Sequence, residues 1–260
     1  MEVVILADAD EVGRVVAAAV EALIARRPHA VLGLATGSSP IPVYDELVRR
    51  HRCGAVSFAR ATAFCLDEYV GLPAGHPESY RTVIERVFTG RVDLPAESVH
   101  APDGGAADLV GAAHSYDEAI ATAGGVDLQL LGIGSDGHIG FNEPGSSLAS
   151  RTRLKTLTAR TREDNARFFG SVDEVPRHVL TQGVGTILEA RHLVLVALGS
   201  GKADAVAAAV EGPVTAMCPA SALQLHPHAT VVVDETAATR LRLAPYYRET
   251  YASKPEWQGL

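Results

Sequence analysis

Six short apolar runs rich in β-branched residues recur along the chain with helix-period segments between them, and this alternation restricts the fold more than any other feature. EVVILA (2–7), AVLGLAT (30–36), TAFCL (62–66), VDLQLLGIG (126–134), HLVLVALG (192–199) and ATVVVD (229–234) read as strands. The segments between them predict helices over 9–26, 41–51, 79–88, 106–123, 161–169, 183–190 and 202–211, several opening on Asp, Ser, Thr or Gly. Strand and helix in alternation make a mostly parallel sheet, because a crossover between parallel strands is long enough to be a helix. The expected fold is α/β: one doubly wound, open, Rossmann-like sheet with helices on both faces, spanning 1–260 as a single domain. A chain of 260 residues can bury such a core without dividing.

Composition removes several classes of function. With 23 Lys and Arg against 31 Asp and Glu, the net charge of −8 repels a polyanion at long range, so no nucleic-acid partner is expected. A small phosphorylated ligand needs only a local basic site and stays open. Cys53, Cys65 and Cys218 form no C-x-x-C pair and leave one over, which suggests neither a disulfide framework nor a zinc site and points to a reducing compartment. The N-terminus lacks the basic start and unbroken apolar centre of a secretory signal, and no apolar run has the length of a membrane span. A cytoplasmic protein is expected.

In open parallel sheets, ligands gather at the carboxyl ends of the strands. Four polar motifs fall there: TGSSP, DEY, GSDGHIGFNEP and GSGK. Gly132, Gly134 and Gly137 have the G-x-G-x-x-G spacing of a dinucleotide turn. The context does not fit, since that turn needs a helix opening at its glycines and an acid roughly 20 residues on. Here Pro144 and Gly145 break any helix early and the following SRTRLKTLT is basic. The glycines are better suited to shaping a loop that presents Asp136, His138 and Glu143. A histidine flanked by carboxylates suits proton transfer, although an isolated D-x-H is more often a solvated surface loop. No metal is expected, because the set lacks the further His or Cys that zinc prefers.

LATGSSPIPVYDEL (34–47) reads as strand, small-residue loop and helix, an arrangement that favours a phosphate. An ordinary turn capped by Ser38 or Ser39 is the alternative. Lys202, in LGSGKADAV, stands at a helix start, where a cation opposes the dipole unless an anion is bound nearby. In FCLDEYVGL (64–72), Asp67 lies between apolar Leu66 and Val70, and burial there would raise its pKa toward that of a base able to take a proton from carbon.

With these residues in view, the chain resembles the glucosamine-6-phosphate deaminase family. The resemblance runs through LATGSSP, LDEYVGLP, HPESY, GIGSDGHIGFNEPGSSLASRTRLKTLT, TREDNARFF, LTQGVGTILEA and LGSGKADAVAAAVEG, and covers nearly the whole chain. Related 6-phosphogluconolactonases share the D-G-H turn but, as a rule, not the FNEP continuation. The resemblance implies that Asp67 moves the proton from C2 to C1 of the sugar, and that His138 opens the ring with Asp136 and Glu143 as partners. It places the phosphate against Thr36, Gly37, Ser38, Ser39, Arg167 and Lys202, under a mobile lid around 155–180, with no cofactor. It further implies a homo-oligomer, a hexamer in regulated members, with N-acetylglucosamine 6-phosphate as effector at Ser146, Arg153, Lys155, Thr156 and Tyr247. Two departures stand out: Gly140 replaces a common alanine, and Gly37, Ser38 and Ser39 replace Gly-Gly-Thr. A 6-phosphogluconolactonase and a non-catalytic sugar-phosphate sensor are the rival readings.

Overall fold

The computed structural model describes residues 1–255 and 257–260. The chain runs through β1 (Glu2–Leu6), α1 (Ala9–Arg26), β2 (Val31–Leu34), α2 (Ile41–Arg52), β3 (Thr62–Cys65) and β4 (Asp67–Tyr69). It continues through α3 (Tyr80–Val87), β5 (Val99–His100), α4 (Leu109–Thr122), β6 (Leu128–Leu131), β7 (Arg153–Thr156) and α5 (Ala159–Asn165). Then come β8 (His178–Thr181), α6 (Val184–Leu188), β9 (Leu193–Ala197), α7 (Ala203–Glu211), β10 (Ala229–Asp234) and α8 (Ala244–Ala252).

All six strands expected from the apolar runs join a parallel sheet of order β1-β10-β9-β6-β2-β3-β5, in which β5 is a short seventh strand at the edge. The side chains alternate between the two faces as a pleated strand requires. In β9, Leu193, Leu195 and Ala197 enter one core while Val194 and Val196 enter the other. Helices α1, α2 and α3 cover the second face with Val12, Val16, Val43, Tyr44 and Ile84, joined by Phe88 just after α3, and α4, α6 and α7 cover the first. α1 forms where Asp8 caps it: the Asp8 carboxylate accepts from the Glu11 N–H, and Glu11 reaches back to accept from Ala7.

Two features escaped the sequence pattern. A second, antiparallel sheet of order β4-β8-β7 stands beside the first, and α8 packs along β1. β7 is RLKT, alternately half-buried and exposed, so its charges hide the strand. β8 has a buried triplet after one exposed histidine, too short to stand out. β7 is held by its pairing with β8, and β8 by pairing on both sides and by Val179, which enters an apolar cluster with Tyr69, Phe141, Leu157 and Val175.

The strand order sets the site. From β2 the chain moves outward to β3 and β5, then returns to the other side of β2 to form β6 and β9. The direction reverses between β2 and β6, and at such a point the loops leaving the two carboxyl ends part and leave a crevice. The loops that border it are residues 35–40 and 132–145.

Candidate active site

No helix follows the glycines of the 132–145 loop. The glycines do two other things. Gly137 takes a left-handed φ of +85°, which turns the chain back on itself. Gly134 lies flat under the imidazole of His138, where a Cβ would fall 2.2 Å from Cε1 and Nδ1. The ring is thereby held against Asp136, whose Oδ1 accepts from the His138 backbone N–H at 3.2 Å and lies 2.6 Å from Nδ1. That contact holds the Asp136 carboxyl down at about 2. With Nδ1 tied to a carboxylate, Nε2 is the nitrogen left to exchange a proton with a ligand.

Glu143 is placed differently from Asp136. Its Oε1 accepts from the hydroxyls of Thr161 and, at 3.3 Å, Thr158, at the first turn of α5. Asp136 is therefore the carboxylate on the imidazole, and Glu143 the one that ties the loop to α5. Gly140 has φ +56°, and a Cβ there would come 2.9 Å from Thr181 Oγ1, so a side chain at this position would be strained in this loop.

Asp67 opens β4 directly after β3, on the other side of β2 from the histidine loop, and is 4% exposed. Burial pushes its carboxyl well above the ordinary range, and the charge of Glu68 adds to the shift. Glu68, also buried, accepts the backbone N–H groups of Tyr69, Tyr80 and Arg81 at 2.8, 2.9 and 3.0 Å, which fastens the start of α3 to β4.

Residues from the end of β8 bind these pieces together. Thr181 pairs with Asp67 across the second sheet, and its Oγ1 accepts from the Phe141 N–H at 3.1 Å. Gln182 donates from its backbone N–H to Leu66 O and from Nε2 to Cys65 O, while its own carbonyl accepts from Asn142 Nδ2 at 2.8 Å. Thr181, Gln182 and Asn142 did not figure among the expected site residues. The signal for them was the polar TQG directly after the apolar HVL.

Thr36, Gly37, Ser38 and Ser39 fill the turn between β2 and α2, with Gly37 at φ +97°. α2 starts at Pro40 without a side-chain cap, so neither serine plays the capping role that was the alternative reading. Lys202 ends a 3₁₀ turn (Ser200–Lys202) at the start of α7, which also lacks a side-chain cap. The leading amides of both starts are bonded within their turns, Ile41 to Ser38 O, Lys202 to Gly199 O and Ala203 to Ser200 O. Arg167 lies in the turn after α5 (Ala166–Phe168), exposed, with its guanidinium 4.7 Å from the centre of the Phe168 ring.

Of the residues implied for an effector, Ser146 is buried in the turn after Glu143, and Arg153, Lys155 and Thr156 are on β7. Arg153 lies opposite Thr181, which lies opposite Asp67. Tyr247 is on α8, packed on the core. The segment expected as a lid around 155–180 divides into the end of β7, α5, the turn carrying Arg167 and the start of β8. Among the described residues, no group of three or more His, Cys, Asp or Glu is arranged to hold a metal, and no helix is long and apolar enough to cross a membrane.

Residues 7–233 match the family described as glucosamine-6-phosphate isomerases/6-phosphogluconolactonase. The chain is 65% identical to a glucosamine-6-phosphate deaminase of Arthrobacter sp. (strain FB24) over 260 residues, all of both chains, and 64% identical to that of Streptomyces avermitilis over 261. A solved structure described as a monomeric glucosamine-6-phosphate deaminase superposes with a TM-score of 0.90 at 41% identity, covering 92% of this chain and 100% of that one. A 6-phosphogluconolactonase from Trypanosoma cruzi superposes with a TM-score of 0.74 at 20% identity over 93% of this chain and 97% of its own, a likeness of fold.

Proposed function

From the premise that the chain belongs to the family of glucosamine-6-phosphate isomerases and 6-phosphogluconolactonases, we propose how its site works. The protein is an enzyme, and its activity is glucosamine-6-phosphate deamination. Glucosamine 6-phosphate and water become fructose 6-phosphate and ammonia. One observation carries the reading of the site: a buried carboxyl, Asp67, is joined to the loop of the carboxylate-held imidazole, His138, through Thr181, which pairs with Asp67 and accepts from the Phe141 N–H.

The two groups have separate tasks. His138, through Nε2, gives a proton to the ring oxygen as the hydroxyl at C1 loses one, which opens the sugar to its aldehyde. Asp136 stabilises the imidazolium formed in between. The C2 proton is then acidified by the neighbouring carbonyl, and the Asp67 carboxylate takes it. A raised pKa makes Asp67 a stronger base than an ordinary carboxylate. Asp67 returns the proton to C1 of the cis-enolamine, and water displaces ammonia from the resulting imine at C2. Thr36 to Ser39, Lys202 and Arg167 hold the phosphate, with Arg167 delivered by the lid. Glu143 connects the lid's first turn to the histidine loop.

Lactone hydrolysis needs no base poised at carbon, and a mere sensor needs no proton-transfer pair. The test is ammonia release by the purified protein from glucosamine 6-phosphate and its N-acetylated form, run in parallel with hydrolysis of 6-phosphogluconolactone. Ammonia from the first alone is the expected result, and activity on none of them removes the reading.

Replacing Lys202 or Arg167 by Ala is expected to raise KM for the phosphorylated sugar tenfold or more with a smaller change in kcat, since a charge-assisted contact is worth about 1.5–3 kcal/mol. Unchanged KM in both variants would place the phosphate elsewhere. Three finer readings belong to the same proposal. The enzyme works in the cytoplasm and as a homo-oligomer, and N-acetylglucosamine 6-phosphate binds at Ser146, Arg153, Lys155, Thr156 and Tyr247. A monomer in light scattering with effector-independent hyperbolic kinetics sets the last two aside.

A further inference from the structure

The histidine loop is gripped by a segment that carries none of the residues assigned above. Residues 215–221 lie between α7 and β10 and meet the loop at three points. The Ala220 N–H donates to Gly137 O at 2.9 Å, and the Gly145 N–H donates to Ala216 O at 2.8 Å, so two backbone bonds hold the loop before His138 and after Glu143. Between them Cys218, a buried residue, sets its Sγ against Gly137: a Cβ on that glycine would fall 2.6 Å from the sulfur.

The first of these bonds falls on the peptide unit that leads into His138. A peptide unit is planar, so fixing both of its polar groups fixes its tilt. In the Gly137–His138 unit the carbonyl accepts from Ala220, and the N–H donates to Asp136 Oδ1 at 3.2 Å. The next unit is held as well, since His138 O accepts from the Gly134 N–H at 2.9 Å. The Cα of His138 is therefore set from both sides, and with it the direction in which the imidazole leaves the chain.

One side chain keeps residues 215–221 in this shape. Ser221 is 0% exposed, and its hydroxyl accepts from the Thr215 N–H at 2.8 Å and donates to Thr215 O at 3.1 Å, which closes the turn across its mouth. Inside it, the Cys218 N–H donates to Thr215 O at 3.1 Å and the Ser221 N–H to Cys218 O at 2.8 Å. Ala216, Cys218 and Ala220, the three points of grip, all stand within the turn that this hydroxyl closes.

We propose that Ser221 is a positioning residue for ring opening: by closing the turn 215–221 it holds Ala220 and Cys218 on Gly137 and so fixes the peptide unit that presents His138. The proposal rests on the reading that His138 opens the sugar ring.

The test isolates that step. In Asp67→Asn the C2 proton cannot be taken while His138 is intact, so bound glucosamine 6-phosphate should open and close without reacting. Opening interconverts the two anomers at C1, and NMR saturation transfer between their C1 protons measures the rate. Asp67→Asn is expected to speed this exchange above the spontaneous rate, and Asp67→Asn combined with His138→Gln is expected not to. Adding Ser221→Ala to Asp67→Asn should slow the enzyme's share about tenfold or more at saturating sugar, within the loss of up to about 10²-fold that a misplaced group brings. The half-saturating concentration should stay the same, because the loss falls on the opening step and not on binding. Rates are taken per folded molecule, a quantity that a merely structural role of Ser221 leaves unchanged. Cys218→Ala in the same background keeps both Ser221 bonds, takes the sulfur away from Gly137 and should slow exchange by a smaller factor. The Asp67→Asn rate in folded Ser221→Ala overturns the proposal, as does a loss confined to half-saturation. If Ser221→Ala does not fold, the Asp67→Asn rate in Cys218→Ala overturns it. No exchange by Asp67→Asn itself overturns the assignment of ring opening to His138, and the proposal with it.

Discussion

Asp67→Asn is expected to abolish ammonia release while leaving the fold intact. Asparagine keeps the shape of the side chain at a site that is 4% exposed but cannot accept the C2 proton. A positioned base is worth about 10²–10⁴ in rate, and the loss should appear in kcat more than in KM, because the base acts in the transition state rather than in binding. Stability should move the other way. The folded state holds the Asp67 proton more tightly than the unfolded chain does, so ionising this carboxyl costs stability as pH rises above the ordinary carboxylate range. Asp67→Asn removes that cost, and its Tm at neutral pH should equal or exceed that of the wild type. The same raised pKa places the acid limb of the kcat profile above the ordinary carboxylate range, with activity falling as pH drops and Asp67 takes up a proton. A variant that is inactive and also markedly less stable would assign Asp67 to structure instead.

Gly134→Ala is expected to cost nearly as much although it removes no functional group. The added methyl would sit 2.2 Å from two atoms of the His138 ring, well inside contact, so the imidazole must leave its place on Asp136. Freed from the carboxylate, the ring loses both its orientation and the charge that steadies the imidazolium, and a fall in kcat of about 10²-fold follows if His138 is the acid–base group. Gly132→Ala is the control, since a methyl there meets nothing within 4 Å. Equal loss in both variants, or none in Gly134→Ala, would separate the histidine from the reaction.

The sheet was legible because β-branched runs such as ATVVVD and HLVLVALG need helices on both faces to bury them, and the helix-period segments between them supply that cover. The second sheet was not, because β7 and β8 are stabilised by each other and by β4, contacts between residues far apart in the chain. The pairing of His138 with Asp136 is local, two residues apart, and follows from the D-G-H spacing. The bond from Glu143 to Thr158 and Thr161 crosses from one loop to another, and the sequence offers no periodicity that would reveal it. Thr181 and Gln182 show in the sequence only as polar residues directly after a buried run. They work through a backbone carbonyl, an amide and a side-chain oxygen, groups that almost any sequence possesses, and only the fold brings them to Phe141, Asn142 and Leu66.

The central claim, that ring opening and carbon deprotonation belong to different residues, is tested most directly by following loss of the C2 hydrogen of glucosamine 6-phosphate in heavy water by NMR, with Asp67→Asn and His138→Gln at increasing enzyme concentration. The sugar opens slowly by itself, so His138→Gln should process the open form as it appears, with exchange and ammonia release rising to a plateau set by spontaneous opening. Asp67→Asn should show neither at any concentration. Plateaus of equal height in the two variants, or silence in both, would contradict the assignment.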